Sequence, residues 1–398
     1  MIRRFIFATA IILCIADSAY AADYINNKAK EIASSSPALR AFLNTQKAQI
    51  SELKADNILE NPEVSFSHLW GQGGIGNKYT IGISQNFDWP GVYSARKKVI
   101  SARQKVLSDY AMVKTAEIFL AAKEAMIDAV YAKRLIALRS VVYKQVDSLY
   151  NAYKKARLTG DITVLDLNRA VIERSMASRN LREAEVMLIE AGDKIRAINV
   201  GCNVESVMAG IEYYPVVKVR SEEEYAERLV NMNPLLLAAK SEVEISEFQQ
   251  TLASASRYPG FSIGYEHEYE MGERFNGLSV SMTLPIYSRK NTVQTADYNK
   301  IAAEESLTEL NASLVAEYNT LRHKVISAQS DIETYGKIFS GYENLDMLQR
   351  LFQSGQINLT EYITELTYFV DAQIEYESFI HTMHLDAANL NKFIDLVD

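Results

Sequence analysis

Two stretches of the chain alternate cleanly between apolar and polar residues, broken on the apolar side of the first at Gln85. Tyr79, Ile81, Ile83 and Phe87 share one side of an extended strand, and Thr80, Gly82, Ser84 and Asn86 share the other. Leu278, Val280, Met282 and Leu284 oppose Ser279, Ser281 and Thr283 in the same way. Each stretch has an upstream partner. Val64, Phe66 and Trp70 face away from Ser65 and Ser67, while Phe261, Ile263 and Tyr265 face away from Ser262, Gly264 and Glu266. A period of two predicts strands with one apolar and one wet face, in hairpins at residues 63–87 and 260–284. Elsewhere the period is helical. Leu135, Leu138, Val142, Val146, Leu149, Tyr153 and Ala156 recur at steps of three and four, as do Leu321, Val325, Ala328, Ile332, Tyr335, Phe339 and Tyr342. Such steps predict coiled-coil seams. Lys133, Arg134, Lys144, Asp147, Lys154 and Lys155 lie off the first seam and read as a solvated surface.

The two patterned regions are copies of each other. Pro37 and Pro62 recur 197 residues later as Pro234 and Pro259, and Pro90 and Gly160 recur 195 residues later as Pro285 and Gly355. A single two-residue gap, placed in the hairpin loop, aligns the whole, which marks a duplication. No Pro or Gly lies between Gly91 and Gly160, and only Gly336 and Gly341 interrupt the span from Pro285 to Gly355. Each copy therefore predicts a helical run on the order of 100 Å at about 1.5 Å per residue. Shorter helices are expected at about 24–58 and 163–196, and at about 222–256 and 358–395. Ser36-Pro37 and Asn233-Pro234 should break them at equivalent points, because proline disfavours helix in its predecessor. The expected organisation is a leader at 1–21, a first repeat at 22–198, an irregular equatorial linker at 199–221 and a second repeat at 222–398. The linker is placed to pack with the C-terminal residues.

The leader changes the picture. Arg3 and Arg4 precede an apolar run over residues 5–16, and Ser18-Ala19-Tyr20-Ala21 supplies a small-residue cleavage pattern, so residues 1–21 read as a secretory signal peptide. Cys14 as a lipidated residue is the weaker reading, because Leu13 stands where such sites need a small side chain. The full chain carries a net charge of −8, and loss of two Arg and one Asp with the leader leaves the remainder slightly more acidic. An exported acidic protein is poorly suited to nucleic acid. Beyond Cys14 only Cys202 remains, which leaves no intramolecular disulfide and no multi-cysteine metal site. No later segment has the roughly twenty apolar residues of a spanning helix. A meeting with the bilayer would have to use strands.

Four strands cannot close a barrel, and an open sheet edge cannot sit in hydrocarbon with its backbone groups unpaired. Cyclic association of identical chains resolves both problems. Three protomers would supply twelve strands, and the same symmetry would set the long helices side by side around a water-filled conduit. The expected fold is thus mainly α with a small β part: duplicated long-helix hairpins forming a trimeric α-barrel, plus four strands per protomer in a 12-stranded transmembrane β-barrel. Small polar residues, Ser65, Ser67, Thr80, Ser84, Ser279, Ser281 and Thr283, would line its lumen. Trp70, Trp89, Tyr265, Tyr269, His68 and His267 suit the rims.

In this order of helix, hairpin, long helix, turn and helix, repeated once from Ser36-Pro37 to Leu396, the chain resembles outer-membrane efflux proteins of the TolC type. The sharpest match is the turn Arg157-Leu158-Thr159-Gly160-Asp161-Ile162-Thr163, followed by Asp166. It is similar to the family's Arg, Leu, Gly, hydroxyl residue and acid pattern. The second turn, around Gly355, keeps the Gly and the acid Glu361 but has Phe352 and Gln353 in place of Arg and Leu, and Asn358 in place of the hydroxyl. The resemblance implies the exit duct of a tripartite efflux or type I secretion system, a homotrimer in outer-membrane lipid. Its implied partners are a periplasmic adaptor (membrane fusion) protein and an inner-membrane pump such as an RND transporter. It also implies docking at the tips through Arg157, Leu158, Gly160, Thr163, Asp166, Phe352, Gly355, Asn358 and Glu361. Closure of the periplasmic end would fall to acids near the tips, here Asp166, Glu173, Glu361, Glu365 and Asp371.

The turns have a physical role independent of any name. Gly160 and Gly355 permit the positive dihedral that ends a helix, and Thr163 and Asn358 can cap the next, with Asp166 and Glu361 at its positive end. Other chemistry is thin. His381 and His384, three apart, read as polar surface rather than a metal site. There is no phosphate loop, no CxxC and no organised Ser/His/Asp set, so neither an enzyme nor a cofactor is expected. The alternative class is a soluble periplasmic or surface coiled-coil interaction protein whose hairpins cap helical bundles.

Overall fold

The computed structural model describes residues 14–72, 76–285, 290–340 and 344–397. The start of the expected leader lies outside them, as do residues 73–75 of the first hairpin loop. The elements follow in chain order: α1 (Cys14–Ser34), α2 (Pro37–Ala55), β1 (Glu63–Leu69), β2 (Lys78–Phe87), α3 (Pro90–Thr159), α4 (Val164–Ile198) and α5 (Val204–Ala209). The second half repeats the order with α6 (Glu222–Met232), α7 (Pro234–Ala255), β3 (Gly260–Glu270), β4 (Glu273–Thr283), α8 (Lys290–Ser340), α9 (Asn344–Gln353), α10 (Leu359–Asn391) and α11 (Ile394–Val397).

Both proline breaks fall where the sequence places them. Pro37 opens α2 and Pro234 opens α7, and Asn233 caps α7 by accepting from the Leu235 amide. The first long run is one helix of 70 residues. The second is described as α8 and α9, on either side of residues 341–343. The strand starts keep the offsets of the duplication, 197 for Glu63 and Gly260 and 195 for Lys78 and Glu273. One expectation is corrected here. The second hairpin closes through Met271-Gly272, both with positive φ, and β4 starts at Glu273 rather than near Leu278. Glu273 to Gly277 lack clean alternation, so periodicity alone does not reveal them.

The chain divides into two compact units, each drawing on both repeats: residues 41–113 with 229–314, and residues 1–40 with 114–228 and 315–398. The first holds the sheet. Its helical part packs Ala102 and Val106 of α3 against Ile245 and Phe248 of α7. Ion pairs Arg103–Glu242 (3.0 Å) and Lys300–Glu247 (3.0 Å) flank that seam.

The second unit is helical, and the middle of α3 is its axis. Phe119, Met126, Ile127 and Val130, with Ala122, Ala125 and Ala129 between them, are buried on almost every side of the helix. Links between side chains connect its helices in the order α4, α3, α10, then α8 and α9. Arg174–Asp147 (2.5 Å) and Lys194–Asp128 (2.7 Å) join α4 to α3, and Arg139–Asp371 and Arg134–Glu377 (both 3.0 Å) join α3 to α10. Tyr376 donates to the Ile332 carbonyl of α8, and Phe352 of α9 packs against Tyr362 with the rings tilted and their centroids 4.8 Å apart. The first predicted seam is real: Val142 and Val146 pack with Leu359, Tyr362, Ile363, Leu366 and Val370. In the second seam Val325 is fully buried, with Leu321, Ala328 and Ile332 around it. The linker packs with the C-terminal residues. Val217 and Val219 join Leu390 and Ile394, and the Asn391 side chain donates to the Lys218 carbonyl.

Candidate functional site: a two-faced sheet and two helix tips

The four strands form a single antiparallel sheet in the order β1-β2-β3-β4. Its pairings carry the alternation of the sequence across the whole sheet. Phe66 lies opposite Ile81, Val64 opposite Ile83, Ile83 opposite Tyr265 and Tyr265 opposite Leu278, so one face is mostly apolar, with Gln85 opposite Ile263 and His267 opposite Asn276 among its polar members. That face is exposed: Val64, Phe66, Ile81, Ile83, Ile263, Tyr265, Leu278, Val280 and Met282 all stand open. Ring contacts mark the sheet's two ends, with Tyr79 stacked on Tyr269 (5.0 Å) and His68 tilted against Trp70 (4.9 Å) at one and Phe87 stacked on Phe261 (5.5 Å) and Trp89 on Tyr258 (5.2 Å) at the other.

The opposite face is crowded with small residues. Ser65 pairs with Gly82, Ser84 with Gly264, Gly264 with Ser279, and Ser262 with Ser281, whose hydroxyls meet at 2.8 Å. A Cβ added to Gly264 would lie 2.6 Å from the Ser279 hydroxyl and 2.9 Å from the Ile83 carbonyl, and one on Gly82 would lie 2.7 Å from the Ser65 hydroxyl. Large residues on one face and glycine in close contact on the other let a sheet curl toward the small side. That packing suits a polar face on the inside of any curvature.

The two tips share one construction. Gly160 (φ 84°) and Gly355 (φ 70°) end α3 and α9 in the left-handed region that favours glycine. Thr163 and Asn358 then cap α4 and α10. Asp166 N donates to Thr163 Oγ1 (3.2 Å) and Thr163 N donates back to Asp166 Oδ2 (3.1 Å), while Glu361 N donates to Asn358 Oδ1 (3.0 Å) and Asn358 N to Glu361 Oε2 (2.9 Å). These are two complete capping boxes. The hydrogen bonds from Thr163 hold the Asp166 carboxyl below the usual carboxylate range.

The surfaces of the tips differ. Arg157 is exposed and Leu158 is 87% exposed. At the equivalent positions Phe352 is half-buried on Tyr362 and Gln353 is exposed. Of the remaining candidate acids, Glu365 is exposed, Glu173 is half-buried, and Asp371 accepts from Arg139 at 3.0 Å.

A polar cluster inside the helical unit escapes sequence reasoning. Lys133 and Arg134, read as solvated surface, are both engaged within the protein. Lys133 Nζ donates to the carbonyls of Met208 and Ile211 (2.6 Å each), and Arg134 holds Glu377 while lying over the Tyr214 ring at 5.4 Å. His384 is likewise buried rather than at the surface. It stacks on the other side of this arrangement, 4.5 Å from Tyr214 and nearly parallel to it, with Nδ1 unpartnered. Burial, with Lys123, Arg134 and His381 nearby, brings its pKa down to about 3. His381 bonds Asp128 at 2.9 Å. Among the described residues no group of three or more His, Cys, Asp or Glu is placed to hold a metal ion, and no helix is long and apolar enough to cross a membrane.

No protein-family model matches the chain, and no curated protein matches it in sequence. Solved structures match it in shape. The open state of the MtrE outer membrane channel of Neisseria gonorrhoeae superposes with a TM-score of 0.72 at 14% identity, over 93% of this chain and 88% of that one. The CmeC outer membrane channel of Campylobacter jejuni gives 0.71 at 13%, over 94% and 86%. The outer membrane protein VceC of Vibrio cholerae gives 0.68 at 13%, over 93% and 95%. The chain thus has the fold of these outer-membrane proteins at 13–14% sequence identity.

Proposed function

We propose that the chain is one protomer of a passive exit duct in the outer membrane, a homotrimer whose twelve strands close a β-barrel and whose helices extend the conduit into the periplasm. One observation carries this reading: an exposed apolar sheet face backed by a polar face of small residues, in a sheet whose ends are the single strands β1 and β4. Lipid suits the first face and a water-filled lumen the second. The unpaired edges call for β1 of one copy to meet β4 of the next.

The helical unit supports the same symmetry. α4 turns Ala170, Ala177, Ala184 and Ala191 inward at heptad spacing and leaves Leu165, Ile172, Met176, Val186 and Ile189 exposed. A helix with alanines inside and large apolar residues outside lacks a partner on that side. In a ring that partner is the α8–α9 edge of the neighbouring copy.

The duct docks through its helix tips to a periplasmic adaptor, which joins it to an inner-membrane pump such as an RND transporter. The resemblance in sequence and the fold of the outer-membrane channels support this role. Asp166 and Glu361 are committed to capping and Asp371 to Arg139, so closure of the periplasmic end falls to Glu173 and Glu365. A soluble coiled-coil protein would have to leave the whole apolar sheet face in water, and nothing favours that reading. The test is mass and conductance. Protein extracted in mild detergent should run at three times the mass of the chain without its leader and insert single channels into planar bilayers; release by osmotic shock as a monomer would defeat the proposal.

A further inference from the structure

The strands carry seven residues of full charge: Glu63, Lys78, Glu266, Glu268, Glu270, Glu273 and Arg274. The pairing register sorts them by face. In steps of two, Glu63 falls with Ser65, Lys78 with Thr80, the three glutamates of β3 with Gly264, and Glu273 with Ser279, so six share the polar face. There Lys78 is held by Glu268 (2.5 Å) and Glu270 (3.4 Å). Arg274 alone lies on the apolar face, in step with Leu278, Val280 and Met282. It is exposed, and every carboxylate of the strands is on the other side.

The register also fixes its height. Arg274 lies opposite Tyr269, Tyr269 opposite Tyr79 and Tyr79 opposite His68, the last paired row of this face before the hairpin turns. Phe87 and Phe261 form the matching row where the helices begin. From residue 79 to residue 87 the strand runs about 27 Å, or about 20 Å across a bilayer at a tilt of about 40°, near the height of an apolar barrel band. The two aromatic rows thus stand at the two borders of the hydrocarbon. Arg274 belongs to the outer border, because the helices leave from the inner one. One row further in, Asn276 Oδ1 is taken by Tyr265 Oη and His267 Nδ1 (2.8 Å each), which leaves the amide nitrogen as a donor on this face.

A guanidinium at the edge of hydrocarbon needs an anion, and a phosphate answers its fork with two parallel hydrogen bonds. We infer that Arg274 binds the phosphate of an outer-leaflet glycolipid, a phosphate monoester carried on a sugar, whose acyl chains lie along Leu278, Val280 and Met282 of the same strand. Tyr79 and Tyr269, stacked at 5.0 Å, place amphipathic rings at the level of the sugar. The inference rests on the barrel proposed above and gives it one lipid site per protomer, three per ring.

Lipid retention on the intact ring is the test. The protein, purified as the trimer, is placed in nanodiscs of phosphatidylcholine that contain bis-phosphorylated lipid A, its dephosphorylated form or phosphatidylglycerol, and native mass spectrometry counts the lipids that stay bound. The expected result is up to three molecules of bis-phosphorylated lipid A per ring, with retention about tenfold weaker for the other two lipids. Arg274→Gln should lose that preference, Arg274→Lys should lose part of it, and Lys78→Gln on the polar face should keep it; the trimer mass in the same spectrum shows that each variant is assembled. Equal retention of the phosphorylated and dephosphorylated forms, equal retention of phosphatidylglycerol, full retention by Arg274→Gln, or displacement of the lipid by inorganic phosphate would each overturn the inference. An unsubstituted protein that gives neither trimer nor conductance would instead overturn the duct itself.

Discussion

His384 is buried face to face with Tyr214, and its neighbourhood already holds the cations Lys123 and Arg134. A second proton there has no acceptor, so the ring stays neutral down to about pH 3. An unfolded chain would protonate the same ring near 6.5. Between these values the unfolded state binds the extra proton, so the stabilisation present above pH 6.5 is lost as the pH falls toward 3, by at most about 1.4 kcal/mol per unit. Urea midpoints of the helical unit should therefore drop between pH 6.5 and 4.5. His384→Phe, which keeps the stack and discards the titration, should flatten that stretch; an unchanged slope would show that the ring does not control it. Asp128 belongs to a lower window. Burial raises its pKa, but hydrogen bonds from His381 and Lys194 outweigh burial and lower it, so its loss begins only as carboxylates protonate.

At the scale of elements, the tips and the sheet make separate demands. Thr163→Ala and Asn358→Ala each remove one half of a capping box and should cost about 1 kcal/mol, read as a loss of thermal stability without loss of channels. The sheet is less forgiving. Gly264→Val would drive a branched side chain into the Ser279 hydroxyl and the Ile83 carbonyl, so it should block pairing of β2 with β3 and of β3 with β4; assembled trimers in this variant would contradict the close packing of the polar face. These elements were legible because their signals are local. Clean alternation predicted the faces of β1 and β2, proline and glycine marked the breaks at Pro37 and Pro234, and the offsets located both tips. The polar cluster was not legible. Lys133 and Arg134 look like any exposed stretch of helix until the linker, some eighty residues later in the chain, brings Met208, Ile211 and Tyr214 against them. Nor does any local pattern tell that Phe352 turns onto Tyr362 while Leu158, one position out of step with it in the duplication, stands open.

For the whole molecule the deciding question is what covers the apolar face of the sheet, because water and lipid reverse the sign of one substitution. Leu278 lies on that face in β4 and is exposed. If the chain were a soluble protein, Leu278→Arg would replace an apolar side chain in water by a charged one and leave stability nearly unchanged or slightly improved. If three copies present this face to acyl chains, each arginine costs about 2–4 kcal/mol near the bilayer centre, and the cost is incurred three times in one ring. Ser67→Arg provides the control. Ser67 is on the polar face of β1, where a long cation reaches into the lumen and remains hydrated. The expected outcome is a steep loss of detergent-extracted trimer for Leu278→Arg and little loss for Ser67→Arg, measured on the same membranes by native mass. The opposite order would place the small polar residues against lipid and the apolar face in the lumen. Equal tolerance of both would mean that neither face meets hydrocarbon. The ring would then lose its reason to exist, because the pressure to pair β1 with β4 comes from the absence of water at the sheet's edges.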